Sequence, residues 1–287
     1  MTMELRSFSE VTAGYDVIFF DSYGVLKNSG GVLKGVPDLL LKLVRQKKDL
    51  YVITNDASKS PERMAQSFSH AVEGELIPAS QIISSGLLAT DFLAAQVASK
   101  KPNGRAAYLG KPGSAYYIES AGLEAVPLSE WDDAHDPDAI VLLDDEGFDW
   151  FRDINHALNL IRRSLAPVVI GNADLLYPVK DGGVALAVGS LANMLQPIAQ
   201  KSFYRFGKPD AMMFVYALQA MRSARPGTKN HKVLMVGDTL QTDILGARMA
   251  GLDTVLVLSG NTMPHQAEML IQSTGIVPTY VCPDILT

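Results

Sequence analysis

Val17-Ile18-Phe19-Phe20-Asp21-Ser22-Tyr23-Gly24-Val25-Leu26 is the stretch on which the reading of the fold turns. Its first four residues are apolar without alternation, the pattern of a strand buried on both faces in the middle of a parallel sheet. The run stops abruptly at Asp21, and Ser22-Tyr23-Gly24 reads as a turn. In open parallel sheets ligands collect at the carboxyl ends of the strands, which is where this carboxylate falls. An aspartate at a strand end also serves as a plain turn residue, so its companions must decide.

Working outward, the same grammar recurs. Val36 to Val44 has helical spacing with Pro37 in the first turn. Tyr51-Val52-Ile53 reads as a strand ending in Thr54-Asn55-Asp56, and Ser60 caps a following helix. Asn28 to Gly31 reads as a connector. Near the other end, Val233-Leu234-Met235-Val236 is a strand, Gly237-Asp238-Thr239 its turn, Thr242 to Ala250 a helix with Gly251 as C-cap, and Thr254 to Leu258 a further strand. Between about 84 and 202 lies a block with its own strands, at Ala106–Leu109, Ala139–Leu143 and Val168–Ile170. These repeated βα units predict an α/β protein with a doubly wound, Rossmann-like parallel-sheet core from residues 1–83 and 203–287. Residues 84–202 are expected to form an inserted α/β cap domain.

Composition sets limits. Apolar residues make up 47% and charged residues 20% of the 287, enough to build a buried core. The net charge of −6 comes with no basic stripe, which argues against nucleic acid as a partner. No apolar run reaches the roughly 20 residues of a membrane span, and the N-terminus lacks a signal-peptide pattern, so a cytoplasmic protein is expected. A single cysteine, Cys282, rules out an internal disulfide and reads as a buried thiol.

Asp21, Thr54, Lys208 in Phe206-Gly207-Lys208-Pro209-Asp210, and Asp238 with Asp243 five residues on all fall at or near strand ends. Carboxylates, a hydroxyl and a lysine converging on one crevice suit a hard cation such as Mg²⁺ together with a phosphoryl group. A carboxylate in such a place is able to attack phosphorus in line.

Four segments also carry a family resemblance. Asp21-Ser22-Tyr23-Gly24-Val25-Leu26, Val52-Ile53-Thr54-Asn55, Gly207-Lys208-Pro209 and Gly237-Asp238-Thr239-Leu240-Gln241-Thr242-Asp243-Ile244 resemble, in order, motifs I to IV of the haloacid dehalogenase-like (HAD) superfamily. Their order and the cap insertion between motifs II and III resemble class IIA, the NagD and nitrophenyl-phosphatase type. Within the cap, Gly171-Asn172-Ala173-Asp174 and Gly189-Ser190-Leu191 also fit. The resemblance implies a Mg²⁺-dependent phosphatase acting on a small phosphorylated metabolite, of sugar-phosphate or nucleotide class, through an aspartyl-phosphate. Asp21 would be nucleophile and metal ligand, the Tyr23 carbonyl and Asp238 further ligands, and Asp243 a ligand directly or through water. Thr54 and the Asn55 amide would hold phosphoryl oxygens, and Lys208 would pair with phosphate and Asp21. Homodimerisation through the cap is compatible with the class.

One position departs from the pattern. The family's phosphatases carry an acid/base aspartate two residues after the nucleophile, where this chain has Tyr23, whose phenol ordinarily titrates near 10. Three readings follow: a phosphatase that is slow, suited to good leaving groups or dependent on another carboxylate; a binder of phosphorylated ligands with little turnover; and a dehalogenase, whose nucleophile is also followed by tyrosine. Asp56 and the cap residues Asp144, Asp145, Glu146 and Asp174 are the candidate replacement acids, Asp145 and Asp174 also being candidate substrate contacts. Lys111, in a second Gly-Lys-Pro triplet at a cap turn, is a candidate for a substrate-facing role.

Overall fold

A computed structural model describes residues 4–179, 183–224 and 231–287. Two parallel sheets organise the chain. Across the first run the strands Tyr280–Cys282, Asp253–Val257, Val233–Gly237, Val17–Phe20, Asp49–Thr54 and Ile82–Ser84, every neighbouring pair parallel. The two central strands, Val17–Phe20 and Val233–Gly237, are buried at every position, as their unbroken apolar sequences require. From Val17–Phe20 the chain proceeds toward one edge of the sheet and, after residue 231, toward the other. The switch point therefore lies between the strands that end in Asp21 and Asp238, where an open sheet leaves a crevice.

Helices cover both faces. Val36–Arg45 buries Val36, Leu40 and Leu43 against Ile18, Phe20 and Leu50 on one side. Ala211–Ala224 buries Met213, Phe214 and Ala217 against Phe19, Tyr51 and Met235 on the other. The expected cap at Ser60 is present, its hydroxyl accepting from the Arg63 amide at 3.4 Å. Cys282 is buried and free, and burial pushes its thiol up to about 11.

The second sheet runs Phe203–Arg205, Val168–Ile170, Ala139–Leu142, Arg105–Leu109 and Glu124–Pro127, again all parallel. It is inserted between the Thr54 strand and the Lys208 turn. The expected boundaries at 83/84 and 202/203 need adjustment at both ends. Ser84 pairs with Thr54 in the first sheet, and Phe203–Arg205 pairs with Val168–Ile170 in the second. Each short strand saturates the backbone of an otherwise open edge, a gain that outweighs any local sequence cue.

Asn28 to Gly31 forms more than a connector. Lys27–Asn28 and Gly31–Val32 pair antiparallel around it. A second hairpin, Leu176–Pro178 with Val184–Leu186, reaches out from the inserted domain. No helix among the described residues is long and apolar enough to cross a membrane.

Candidate active site

Strand ends carry the site residues into one place. Asp21 is fixed at the end of its strand by donating its amide to the Val236 carbonyl at 2.8 Å. Gly24, at φ 81°, then lets the turn close on the neighbouring strand's aspartate. A Cβ there would overlap Asp238 Oδ2, so only glycine lets the two turns share this corner.

Lys208 stands between two carboxylates. Its Nζ is 2.6 Å from Asp21 Oδ1 and 2.6 Å from Asp243 Oδ1, and its side chain is only 3% exposed. Burial favours the neutral amine, but Asp21 and Asp243 outweigh it and drive the lysine well above its ordinary value. It is therefore charged across the physiological range.

Asp243 is an organiser with both oxygens taken. Its Oδ2 accepts from the amides of Asp238 and Thr239 at 3.1 and 3.0 Å, while Oδ1 holds Lys208. Asp238 accepts from the Asn261 amide at 2.7 Å and from the Thr239 hydroxyl at 2.9 Å. Among the described residues no protein donor meets the second oxygen of Asp21, and Asp21 lines the cavity.

Carboxylate oxygens of Asp21, Asp238 and Asp243 lie within 4.8 Å of one another. Burial raises Asp21 well above the carboxylate range, and Asp243 and Asp238 add to it against the pull of Lys208. Burial and the Asp243 charge likewise push Asp238 up to about 7. Three buried carboxylates share one lysine, so the cluster is short of positive charge. Hard, closely spaced oxygen donors with this deficit fit a divalent cation of the Mg²⁺ type. Asp21 and Asp238 would offer it oxygens, and Asp243, whose Oδ1 holds Lys208, would act directly or through water.

Asn55 reaches the site in an unexpected way. Its side-chain oxygen accepts the Lys208 amide at 2.7 Å and its NH₂ donates to the Lys208 carbonyl at 3.0 Å, clamping the backbone of the lysine. The same NH₂ donates to Asp174 Oδ1 at 2.8 Å, linking core to inserted domain. Burial pushes Asp174 up to about 6, opposed by Lys208 and by the Asn55 hydrogen bond. Thr54 is buried, and its hydroxyl accepts the Asp56 amide at 3.2 Å.

Tyr23 is placed beside the cluster with its ring 4.4 Å below Lys27 Nζ and 5.8 Å from the Tyr177 ring. Burial raises its phenol above the ordinary value, only partly offset by Lys27. Asp56 is committed elsewhere. It pairs with Lys27 at 3.0 Å and accepts from the Ser58 hydroxyl and amide at 2.6 and 2.9 Å. Burial would raise it, but Lys27 and Ser58 prevail and hold it below its ordinary value. Asp145 accepts from the Tyr177 hydroxyl at 2.9 Å. Lys27 and Tyr177 went unnoticed in sequence: nothing local marks the hairpins that bring them in.

A cavity of about 720 Å³ joins these groups, running from Asp21, Lys208 and Asp238 past Tyr23 to Asp145 and Tyr177. A larger cleft, about 1070 Å³, opens at the amino ends of the core strands beside Tyr15 and Asp253. The carboxylate cluster able to hold a cation among the described residues lies in the smaller one.

Comparison with known proteins agrees with this geometry. Residues 18–124 match the family described as haloacid dehalogenase-like hydrolase, and residues 205–287 match the HAD-hydrolase-like family. The crystal structure of a possible sugar phosphatase of the HAD superfamily from Cytophaga hutchinsonii is similar at 43% identity. The match covers 100% of this chain and 99% of that one, with a TM-score of 0.90. The chain belongs to the haloacid dehalogenase-like hydrolase superfamily. Within it, the sheet inserted between the Thr54 strand and the Lys208 turn makes the architecture that of class IIA. NagD from E. coli K-12 has the same fold at a TM-score of 0.70 and 23% identity, covering 95% of this chain and 97% of that one. Human glycerol-3-phosphate phosphatase is 29% identical over 265 residues, 86% of this chain and 80% of its own.

Proposed function

We propose that the chain is a Mg²⁺-dependent phosphohydrolase that moves the phosphoryl group of a small ester onto Asp21 and then onto water. The observation that carries this reading is the pairing of Lys208 with Asp21 and Asp243, at 2.6 Å each, inside a three-carboxylate cluster. The relatives' names, a possible sugar phosphatase and a glycerol-3-phosphate phosphatase, support a small phosphorylated substrate.

The chemistry follows from the residues. The free oxygen of Asp21 attacks phosphorus, the P–O bond to the leaving group breaks, and the departing alkoxide takes up a proton. Water then attacks the same phosphorus, releasing phosphate and returning the Asp21 carboxylate. Lys208 orients Asp21 through its other oxygen and neutralises phosphoryl oxygens as charge spreads over them. Thr54 and the Asn55 amide supply further donors, while the Asn55 side chain holds Lys208 in register. Mg²⁺ bound by Asp21, Asp238 and the Tyr23 carbonyl would supply the positive charge the cluster lacks.

A second reading, phosphate-ligand binding with little turnover, draws on the raised Tyr23 phenol, which at neutral pH is a poor proton source. The metal-type carboxylate cluster argues against the dehalogenase reading. Phosphate release from p-nitrophenyl phosphate tests the proposal. It is expected with Mg²⁺, to vanish with EDTA and to fall at least about 10³-fold in Asp21→Asn. Undiminished release in that variant would refute the assignment, and tight ester binding without release would support the second reading.

A further inference from the structure

Beyond the Asp21–Lys208 cluster the cavity ends in a wall made by two neighbouring turns of the inserted domain. Gly110-Lys111 follows the strand Arg105–Leu109, and Asp144-Asp145-Glu146-Gly147 follows its parallel neighbour Ala139–Leu142. The turns pack backbone on backbone. A Cβ on Gly147, at φ 91°, would stand 2.8 Å from the Gly110 carbonyl oxygen and 2.8 Å from Lys111 Cα. One on Gly110 would stand 3.2 Å from Asp144 N and 3.2 Å from its Cβ. The relation of Lys111 to Asp144 is thus set by main chain.

The charges of this wall do not balance. Lys111 Nζ lies 2.6 Å from Glu146 but 4.0 Å from Asp144 Oδ2. Lys27, on the core side, is taken by Asp56. Asp145 accepts from the Tyr177 hydroxyl. Asp144 is 6% exposed and lines the cavity, and its buried Oδ2 meets no hydrogen-bond donor among the described residues. Buried acceptors are almost always satisfied, so an orphan at a ligand cavity marks where a ligand donor belongs. Tyr23 and Tyr177, their rings tilted against each other, line the same cavity.

We propose that Asp144 is a specificity-determining residue that accepts a hydrogen bond from a hydroxyl of the leaving group, so that the site selects phosphate monoesters of polyols. Esters whose leaving group carries a carboxylate or a second phosphate meet two surplus carboxylates with both lysines already paired, and are rejected. This rests on the phosphohydrolase reading. A site built around a substrate hydroxyl discriminates strongly against the analogue lacking it, because its own polar group is then left unpaired.

The test compares kcat/KM for glycerol 3-phosphate, propyl phosphate, phosphoethanolamine and phosphoglycolate, with p-nitrophenyl phosphate as reference, in wild type, Asp144→Leu and Asp144→Asn. Wild type is expected to favour glycerol 3-phosphate over propyl phosphate by at least about tenfold and over phosphoglycolate by more. Asp144→Leu should bring the glycerol-to-propyl ratio near one, and Asp144→Asn should narrow the gap to phosphoglycolate. The proposal is overturned by a wild-type ratio near one, by phosphoglycolate as best substrate, or by ratios unmoved in both variants. Preference for phosphoethanolamine over glycerol 3-phosphate would overturn the hydroxyl assignment in favour of an ammonium. Should the variants not fold, the wild-type ranking decides alone. Failure to hydrolyse any ester, p-nitrophenyl phosphate included, would sink the phosphohydrolase reading. Calorimetric binding of the four alkyl esters to wild type and to Asp144→Leu, with the glycerol-to-propyl preference lost in the variant or not, would then still decide the role of Asp144.

Discussion

Tyr23 is where the chain departs from the pattern of the family's phosphatases. It stands two positions after Asp21, packed between Lys27 and Tyr177, with its phenol raised by burial. A carboxyl at this point would bring to the site an acid/base group that the phenol does not supply. General acid–base help is worth roughly 10²–10⁴-fold, so Tyr23→Asp is expected to raise kcat on alkyl phosphates at least about tenfold. p-Nitrophenyl phosphate, whose leaving group needs little protonation, should gain less. Steady-state kinetics on both esters checks this, and no gain on the alkyl ester would place the proton source elsewhere, with Asp174 the first to examine. The sequence shows that Tyr23 is not an acid. That Asp56 is spent on Lys27 and Ser58 depends on contacts 29 residues apart for the lysine, which no local pattern encodes.

At the scale of elements, the turn after Val17–Phe20 and the turn after Val233–Gly237 are one structural unit. Gly24→Ala places a methyl where Asp238 Oδ2 sits, at a φ of 81° that alanine adopts with strain. The variant should lose at least about tenfold in Mg²⁺ affinity by calorimetric titration and about 1–3 kcal/mol in stability by thermal melting. Unchanged Mg²⁺ affinity would mean that Asp238 does not hold the cation. The central strands were legible because burial on both faces writes an unbroken apolar run. The strands Ile82–Ser84, Glu124–Pro127, Phe203–Arg205 and Tyr280–Cys282 were not. Each is three or four residues long, too short for a period to register, and exists because a neighbouring edge pairs with it. The hairpin that brings in Tyr177 escaped for the same reason.

The whole molecule joins two sheets through hydrogen bonds at the site itself. The Ser85 hydroxyl donates to the Asn55 carbonyl at 3.0 Å and to the Gly171 carbonyl at 2.5 Å, and Asn55 donates to Asp174. The inserted domain is thus tied to the loop that clamps Lys208. Order and spacing of the four motifs made this assembly legible as a resemblance. That Asp144 Oδ2 meets no hydrogen-bond donor among the described residues was not, since it depends on Glu146 drawing Lys111 to 2.6 Å. The whole account requires Asp21 to carry the phosphoryl group, and chemical trapping reads that directly. Acid quench during turnover of p-nitrophenyl phosphate, followed by borohydride reduction and peptide mass spectrometry, should convert Asp21 to homoserine with Mg²⁺ present and not with EDTA. Continued turnover with Asp21 unmodified, or homoserine at another aspartate, would contradict it.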